Sequence, residues 1–195
     1  MKVSRRSSLR QVAAAVAGAL HDAGIRAVLT GGACATIYSE GAYQSEDLDL
    51  ILLSSPTQKA LDQAMAKLGF SRRRDSYEHP SSSFFVEFPR GPLSIGSDLS
   101  VIPAEMFIDG VRVAMLSATD SCRDRLAAFY HWKDRQSLQA AVAIAARRGA
   151  DLARVRAWSE EEGASKHFEE FLRELRIAKA TRRQATGGRI PKRKR

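Results

Sequence analysis

Apolar positions along the chain switch between two spacings, and the switches mark the elements. Leu9, Val12, Ala13, Val16 and Leu20 recur at helical spacing, with Arg10, Gln11 and small residues between them, which predicts an amphipathic first helix. Ala27-Val28-Leu29-Thr30 is a short apolar run ending at Gly31-Gly32, where the chain must turn with little side-chain bulk. A short helix follows, and then a strand carried by Leu48, Leu50, Ile51, Leu52 and Leu53. Ser55-Pro56 opens another helix, with Leu61, Ala64, Met65 and Leu68 on one face and Gly69 at its end. Residues 70–75 and 83–88 read as strands, and residues 105–116 as a hairpin turning at Asp109-Gly110. Thr119 or Ser121 is expected to cap a helix running through Ala128 to Trp132, with Asp124 in its first turns, where an acid is favoured. Amphipathic helices follow over 136–147, 151–161 and 165–180. Gly149 and Gly163 close the first two.

This order predicts an α/β (α+β) fold, a small mixed β-sheet of about four or five strands flanked by helices. The expected organisation is a domain over 1–134, a C-terminal helical segment over 135–180 packed on it, and a disordered basic tail over 181–195.

The polar residues that break the apolar runs carry the chemistry. Asp47 and Asp49 sit two apart in a strand, so they project from the same face. Two carboxylates side by side on an apolar strand are costly unless something positive lies between them. A hard divalent cation such as Mg²⁺, shared with substrate phosphates, fills that need. Gly31 and Gly32 supply a second half of such a site, because bare backbone N–H groups ahead of a helix can approach phosphates closely. Glu87 is a carboxylate isolated among aromatics in SFFVEF, which requires either a cation or an arginine partner. Asp98, after Gly96-Ser97, competes with Glu87 for that role but reads more easily as a turn residue. Arg72, Arg73 and Arg74 are consecutive in a strand, which fits either phosphate contact or a charged edge that blocks aggregation.

Gly31-Gly32 followed by Ser45-Glu46-Asp47-Leu48-Asp49-Leu50 resembles the nucleotidyltransferase superfamily of the DNA polymerase β type. The wording GGACA…SEDLDL is most similar to its abortive-infection type E toxin branch, and the resemblance spans roughly residues 8–140. It implies transfer of a nucleoside monophosphate from an NTP to an acceptor, with Mg²⁺ or Mn²⁺ held by Asp47, Asp49 and Glu87. Gly31 and Gly32 would seat the triphosphate, and Ser45 would add a phosphate or metal-shell contact. Many relatives carry Ser where Gly32 stands. In DRLAAFYHWKDRQSL the resemblance implies that Arg125, or else Lys133, together with Asp134, helps bind nucleotide; ordinary helix-surface charges are the other reading of these residues. It further implies tRNA or another RNA as acceptor and an antitoxin protein as partner. An enzyme modifying a protein or small molecule, and an inactive binding module of the same fold, remain open beside it.

Composition narrows the setting. The chain has 195 residues, of which 44% are hydrophobic, enough for one core. No window approaches the roughly 20 apolar residues that span a bilayer. Cys34 and Cys122 form neither a disulfide framework nor a zinc pattern, so a reducing cytoplasm is expected, with Cys34 in the core. Arg5-Arg6 comes close to a twin-arginine export signal, but the helix after them is striped and runs directly into the first strand. His21, His79, His131 and His167 are scattered and serve no nucleophile. The net charge of +9 belongs to one end, since residues 175–195 hold nine basic residues and no acid. Such a run predicts salt-sensitive contact with nucleic acid, or else a solvated tail.

Overall fold

The computed structural model describes residues 3–187. The chain opens with α1 (Leu9–Asp22), β1 (Ala27–Leu29), α2 (Gly31–Tyr38), β2 (Asp47–Leu52) and α3 (Gln58–Ala66). Five strands follow: β3 (Ser71–Arg73), β4 (Ser76–Glu78), β5 (Phe85–Glu87), β6 (Ala104–Ile108) and β7 (Val111–Met115). The helices α4 (Ala118–Trp132), α5 (Arg135–Arg148), α6 (Leu152–Glu161) and α7 (Ser165–Gly187) complete the chain.

The mixed α/β architecture matches the expectation, but the sheet has seven strands, in the order β3-β4-β5-β2-β1-β7-β6. The extra width comes from a short meander: β3 and β4 are three residues each, too brief for a period-two pattern to show. In β4 Tyr77 alone is buried, with its hydroxyl donating to Asp62 Oδ1 at 2.6 Å. At the sheet's centre β2 runs antiparallel to β1 and parallel to β5. The β6–β7 hairpin turns at Asp109 and Gly110, whose φ values of 50° and 81° suit a two-residue turn of the mirror-image type.

The expected helices form, with sharper ends than the sequence shows. Ser8 caps α1, accepting from Gln11 N while the Gln11 side chain accepts from Ser8 N. The buried stripe of α1, Val12 and Val16 included, packs against β7 and α3, so this helix is an integral part of the core. Ser117, ahead of both expected capping residues, caps α4. Helices α4, α5 and α7 pack on one another, and α2 lies against α4 and α5.

The last helix continues through 181–187, a stretch expected to be disordered, and Arg182 Nη1 donates to Ala146 O on α5 at 2.8 Å. Residues 188–195 of the expected tail lie outside the described residues. The three arginines take the edge reading: Arg72, Arg73 and Arg74 are exposed on or beside the outermost strand, and Arg72 pairs with Asp62 at 3.4 Å. Among the described residues no helix is long and apolar enough to cross a membrane.

Candidate active site

The site forms where β1 hands over to α2. Thr30 leaves β1 extended, and its N–H donates to Asp49 O at 2.9 Å, which fixes the glycine turn against β2. Gly31 then adopts a φ of +62°, open to glycine at little cost, and a Cβ there would overlap Asp49 Oδ2. A Cβ on Gly32 would overlap Ser45 Oγ and lie 2.9 Å from Ser45 Cβ. The two glycines are therefore covered by two of the expected site residues. Their backbone is held close to those side chains because neither carries a side chain of its own.

Asp47 and Asp49 leave the same face of β2, half-buried, while Leu48 and Leu50 are buried on the other. In the parallel ladder with β5, Asp47 stands opposite Phe85, and Asp49 stands opposite Glu87. The register thus brings Glu87 beside the acid pair. Burial first, and then the charges of Asp47 and Glu87, push the Asp49 carboxyl up to about 6. Ser45 Oγ donates to Asp47 Oδ1, and Ser45 N donates to Thr36 Oγ1 at 2.9 Å, so the serine orients one carboxylate from α2.

Arg125 on α4 is the expected basic residue that reaches this cluster, and its guanidinium charge opposes the upward shift at Asp49. Burial works against that guanidinium's charge. The adjacent Asp124 carboxylate and, in the same direction, Tyr43 and Asp49 together outweigh burial and hold its pKa above the usual arginine value. Asp124 Oδ2 accepts from Arg125 Nε at 3.0 Å and from Nη2 at 2.8 Å. Asp124 and Tyr43 are thus neighbours of the site that sequence reasoning missed. An acid in the first turns of a helix passes as a complement to the helix dipole; its adjacency to Arg125 was the signal available.

Lys133 and Asp134 instead build the α4–α5 junction. Lys133 is the C-cap of α4 in the left-handed region, and its Nζ lies 2.7 Å from His167 Nε2. Asp134 caps α5, accepting from Ser137 Oγ at 2.6 Å and Gln136 N at 2.9 Å. The Ser137 bond leads in holding its carboxyl below the usual range, and the more distant charge of Arg125 adds to the effect. Asp98 is engaged elsewhere as well, accepting from the buried Arg123 at 2.5 Å. Arg123 also bonds Asp120 at 2.8 Å, so Asp98 belongs to a buried ion-pair network. Cys34 is fully buried with its thiol directed to Leu29 O, and burial pushes its pKa up, as befits a core residue.

Among the described residues no three His, Cys, Asp or Glu side chains already close around one point as a finished metal site. The donor set nevertheless fits a hard divalent cation. Asp47, Asp49 and Glu87 offer oxygen ligands from adjacent strands, and their crowding adds to burial in raising Asp49.

No protein-family model matches the chain, and no curated protein matches it. Solved structures share its fold, two of them as follows. An antigenic nucleotidyltransferase-like protein from Paracoccidioides brasiliensis superposes with a TM-score of 0.51 at 19% identity, over 70% of this chain and 73% of that one. The solution structure of the antibiotic-resistance factor ANT(2'')-Ia gives a TM-score of 0.52 at 14% identity, over 83% of this chain and 96% of that one. The fold of this chain is that of the nucleotidyltransferase-like proteins.

Proposed function

We propose that the chain is a metal-dependent nucleotidyltransferase that moves NMP from an NTP to an acceptor, with tRNA or another RNA as the acceptor. The observation that supports this reading is the register that sets Glu87 opposite Asp49 on neighbouring strands, with the Asp49 carboxylate against Gly31. Asp47 and Asp49, completed by Glu87, would hold Mg²⁺ or Mn²⁺. Bound there, two such ions would activate the acceptor oxygen and neutralise the leaving pyrophosphate.

The chain's own residues do the rest. The backbone at Gly31 and Gly32 admits the triphosphate at the start of α2. Arg125, aimed by Asp124, offsets its charge, and Ser45 fixes the orientation of Asp47. The acceptor oxygen bonds to the α-phosphorus as the bond to the bridging oxygen breaks, pyrophosphate leaves, and the acceptor proton passes to the carboxylate cluster.

The basic C-terminal sequence supports RNA as the acceptor, and the GGACA…SEDLDL wording supports a toxin or phage-defence role with an antitoxin partner. A small-molecule acceptor is the second reading, favoured by the extent of the match to an antibiotic-resistance factor. The purified protein, incubated with each α-labelled NTP, Mg²⁺ and total tRNA, should place label in RNA, and Asp49→Ala should abolish it. Label on a protein or small molecule would move the acceptor class. No transfer to any acceptor would leave the fold as a binding module and refute the proposal.

A further inference from the structure

One row of paired residues crosses four strands of the sheet. Asp49 on β2 pairs with Glu87 on β5, Glu87 pairs with Ser76 on β4, and Ser76 pairs with Arg73 on β3. Residues directly opposite one another on neighbouring strands share a face. The face that presents the carboxylates therefore continues through Ser76 to Arg73 at the outer edge. The adjacent row, Leu48, Val86, Tyr77 and Arg72, lies on the other face. Helix α3 packs there, and its Asp62 accepts from the Tyr77 hydroxyl and pairs with Arg72. Two successive arginines are thus divided, one tied down behind the sheet and one on the side of the carboxylates.

The row is passable to a ligand. Asp49, Glu87 and Ser76 are half-buried and Arg73 is exposed. Ser76 is the smallest side chain of the four, so nothing bulky in the row stands between Glu87 and Arg73, and its hydroxyl donates back to Arg73 O at 3.3 Å. Among the described residues no acid pairs with the Arg73 guanidinium. Two more exposed arginines stand at this end of the sheet, Arg74 in the turn after β3 and Arg90 three residues past Glu87. Asp75 shares that turn, and Glu78 lies on the carboxylate face two residues along β4 from Ser76. Glu78 disfavours a phosphate on its side and leaves the Ser76 row as the path between the carboxylates and a cation.

We propose that this row is the track along which a single-stranded nucleic-acid acceptor leaves the site, with Arg73 binding a backbone phosphate. Bare carboxylates repel a phosphate chain, so the acceptor brings only its reacting end to Asp49 and Glu87. Arg73 is the cation the row then offers, and a guanidinium suits phosphate oxygens in pairs. With strands about 4.8 Å apart, Arg73 stands about 14 Å from Asp49. At a rise of about 3.4 Å per nucleotide, that is roughly four nucleotides from the end. The proposal rests on the nucleotidyltransfer reading only in making that end the reacting one. The binding itself is measured without catalysis.

The test uses the full chain with fluorescent oligonucleotides: an RNA octanucleotide, a dinucleotide, DNA of the octanucleotide sequence, and a duplex. Arg73→Gln should weaken the octanucleotide about threefold or more and flatten its salt slope by about 0.7, the loss of one exposed phosphate contact. Arg72→Gln makes the same charge change one residue away on the opposite face and should alter neither. The dinucleotide, too short to reach Arg73, should not distinguish Arg73→Gln from wild type. Both native cysteines are buried, so Arg73→Cys can carry a photo-crosslinker alone. It should crosslink to a nucleotide roughly four from the end and not to the terminal one.

Preference for RNA would name RNA as the ligand, and equal binding of DNA would name any single strand; either supports the track. Equal losses in the two glutamine variants would reduce the effect to general edge charge and overturn it. Tighter binding of duplex, crosslinks to the terminal nucleotide, or no oligonucleotide binding would overturn it as well. Transfer to RNA undiminished in Arg73→Gln, with octanucleotide binding unchanged, would keep the enzyme and refute the track. The predicted binding pattern without transfer to any acceptor would refute the enzyme and keep the track.

Discussion

Asp49 and Glu87 face each other in register across two parallel strands, β2 and β5. Burial, and then the charges of Asp47 and Glu87, lift Asp49 from an ordinary 3.8 to about 6, with Arg125 opposing the rise. The folded protein therefore holds a proton on Asp49 between about pH 4 and pH 6 that the unfolded chain has released. Stability from this group is fully present below the unfolded value and is lost as pH rises through the folded one.

Asp49→Asn should thus make the metal-free protein more stable than wild type at pH 7.5, by on the order of 2 kcal/mol. The gap should close near pH 4, as urea melts at the two pH values will show. Mg²⁺ should raise the wild-type midpoint and leave the variant's unchanged. A variant less stable than wild type at pH 7.5 would show that the carboxylates do not repel.

The two glycines should respond differently to substitution. Gly32 has an ordinary φ and is blocked only by Ser45, so Gly32→Ser should cost about 1–3 kcal/mol. Adding Ser45→Gly should recover most of that loss. Gly31 sits at a φ of +62° as well as against Asp49, so Gly31→Ala should stay impaired even when Asp49 is trimmed to Ala. Thermal melts of the four variants decide this, and equal rescue at both positions would contradict the geometry.

Arg125 and Lys133 were alternatives by sequence; the charge of Arg125 reaches Asp49, while Lys133 lies beside His167. Arg125→Gln should weaken Mg·NTP binding about tenfold or more, the loss of one charge-assisted contact. Lys133→Gln should change it less than about twofold, since its ammonium group is held at the α4–α5 junction beside His167. Fluorescent-NTP titrations measure both. A dominant loss at Lys133 would reverse the assignment.

The parts of the site that obey a local rule were legible in the sequence. The acid pair needs only the period of two along β2, and the Gly31–Gly32 turn only the end of an apolar run. Glu87 showed as an acid in an aromatic strand, but its pairing with Asp49 is a register between strands 38 residues apart, which no local pattern encodes. Asp124 escaped notice because a helix start explains an acid well. The left-handed conformation of Lys133 at the end of α4 was equally hidden, because in sequence such a residue looks like another surface cation. The 181–187 turns of α7 were missed for a related reason. Their composition is that of a tail, and what holds them, such as Arg182 on the Ala146 carbonyl, lies on α5.

The measurement that bears most directly on the central claim is a crystal structure with Mn²⁺ and a non-hydrolysable NTP, read by anomalous scattering. A peak bridging Asp47 and Asp49, with Glu87 completing the shell and the triphosphate at Gly31–Gly32, is the predicted result. Ligand oxygens about 2.1 Å away, the spacing of a hard divalent ion such as Mg²⁺, would accompany it. Nucleotide bound away from that turn, or bound there with no metal on Asp47 and Asp49, would contradict it.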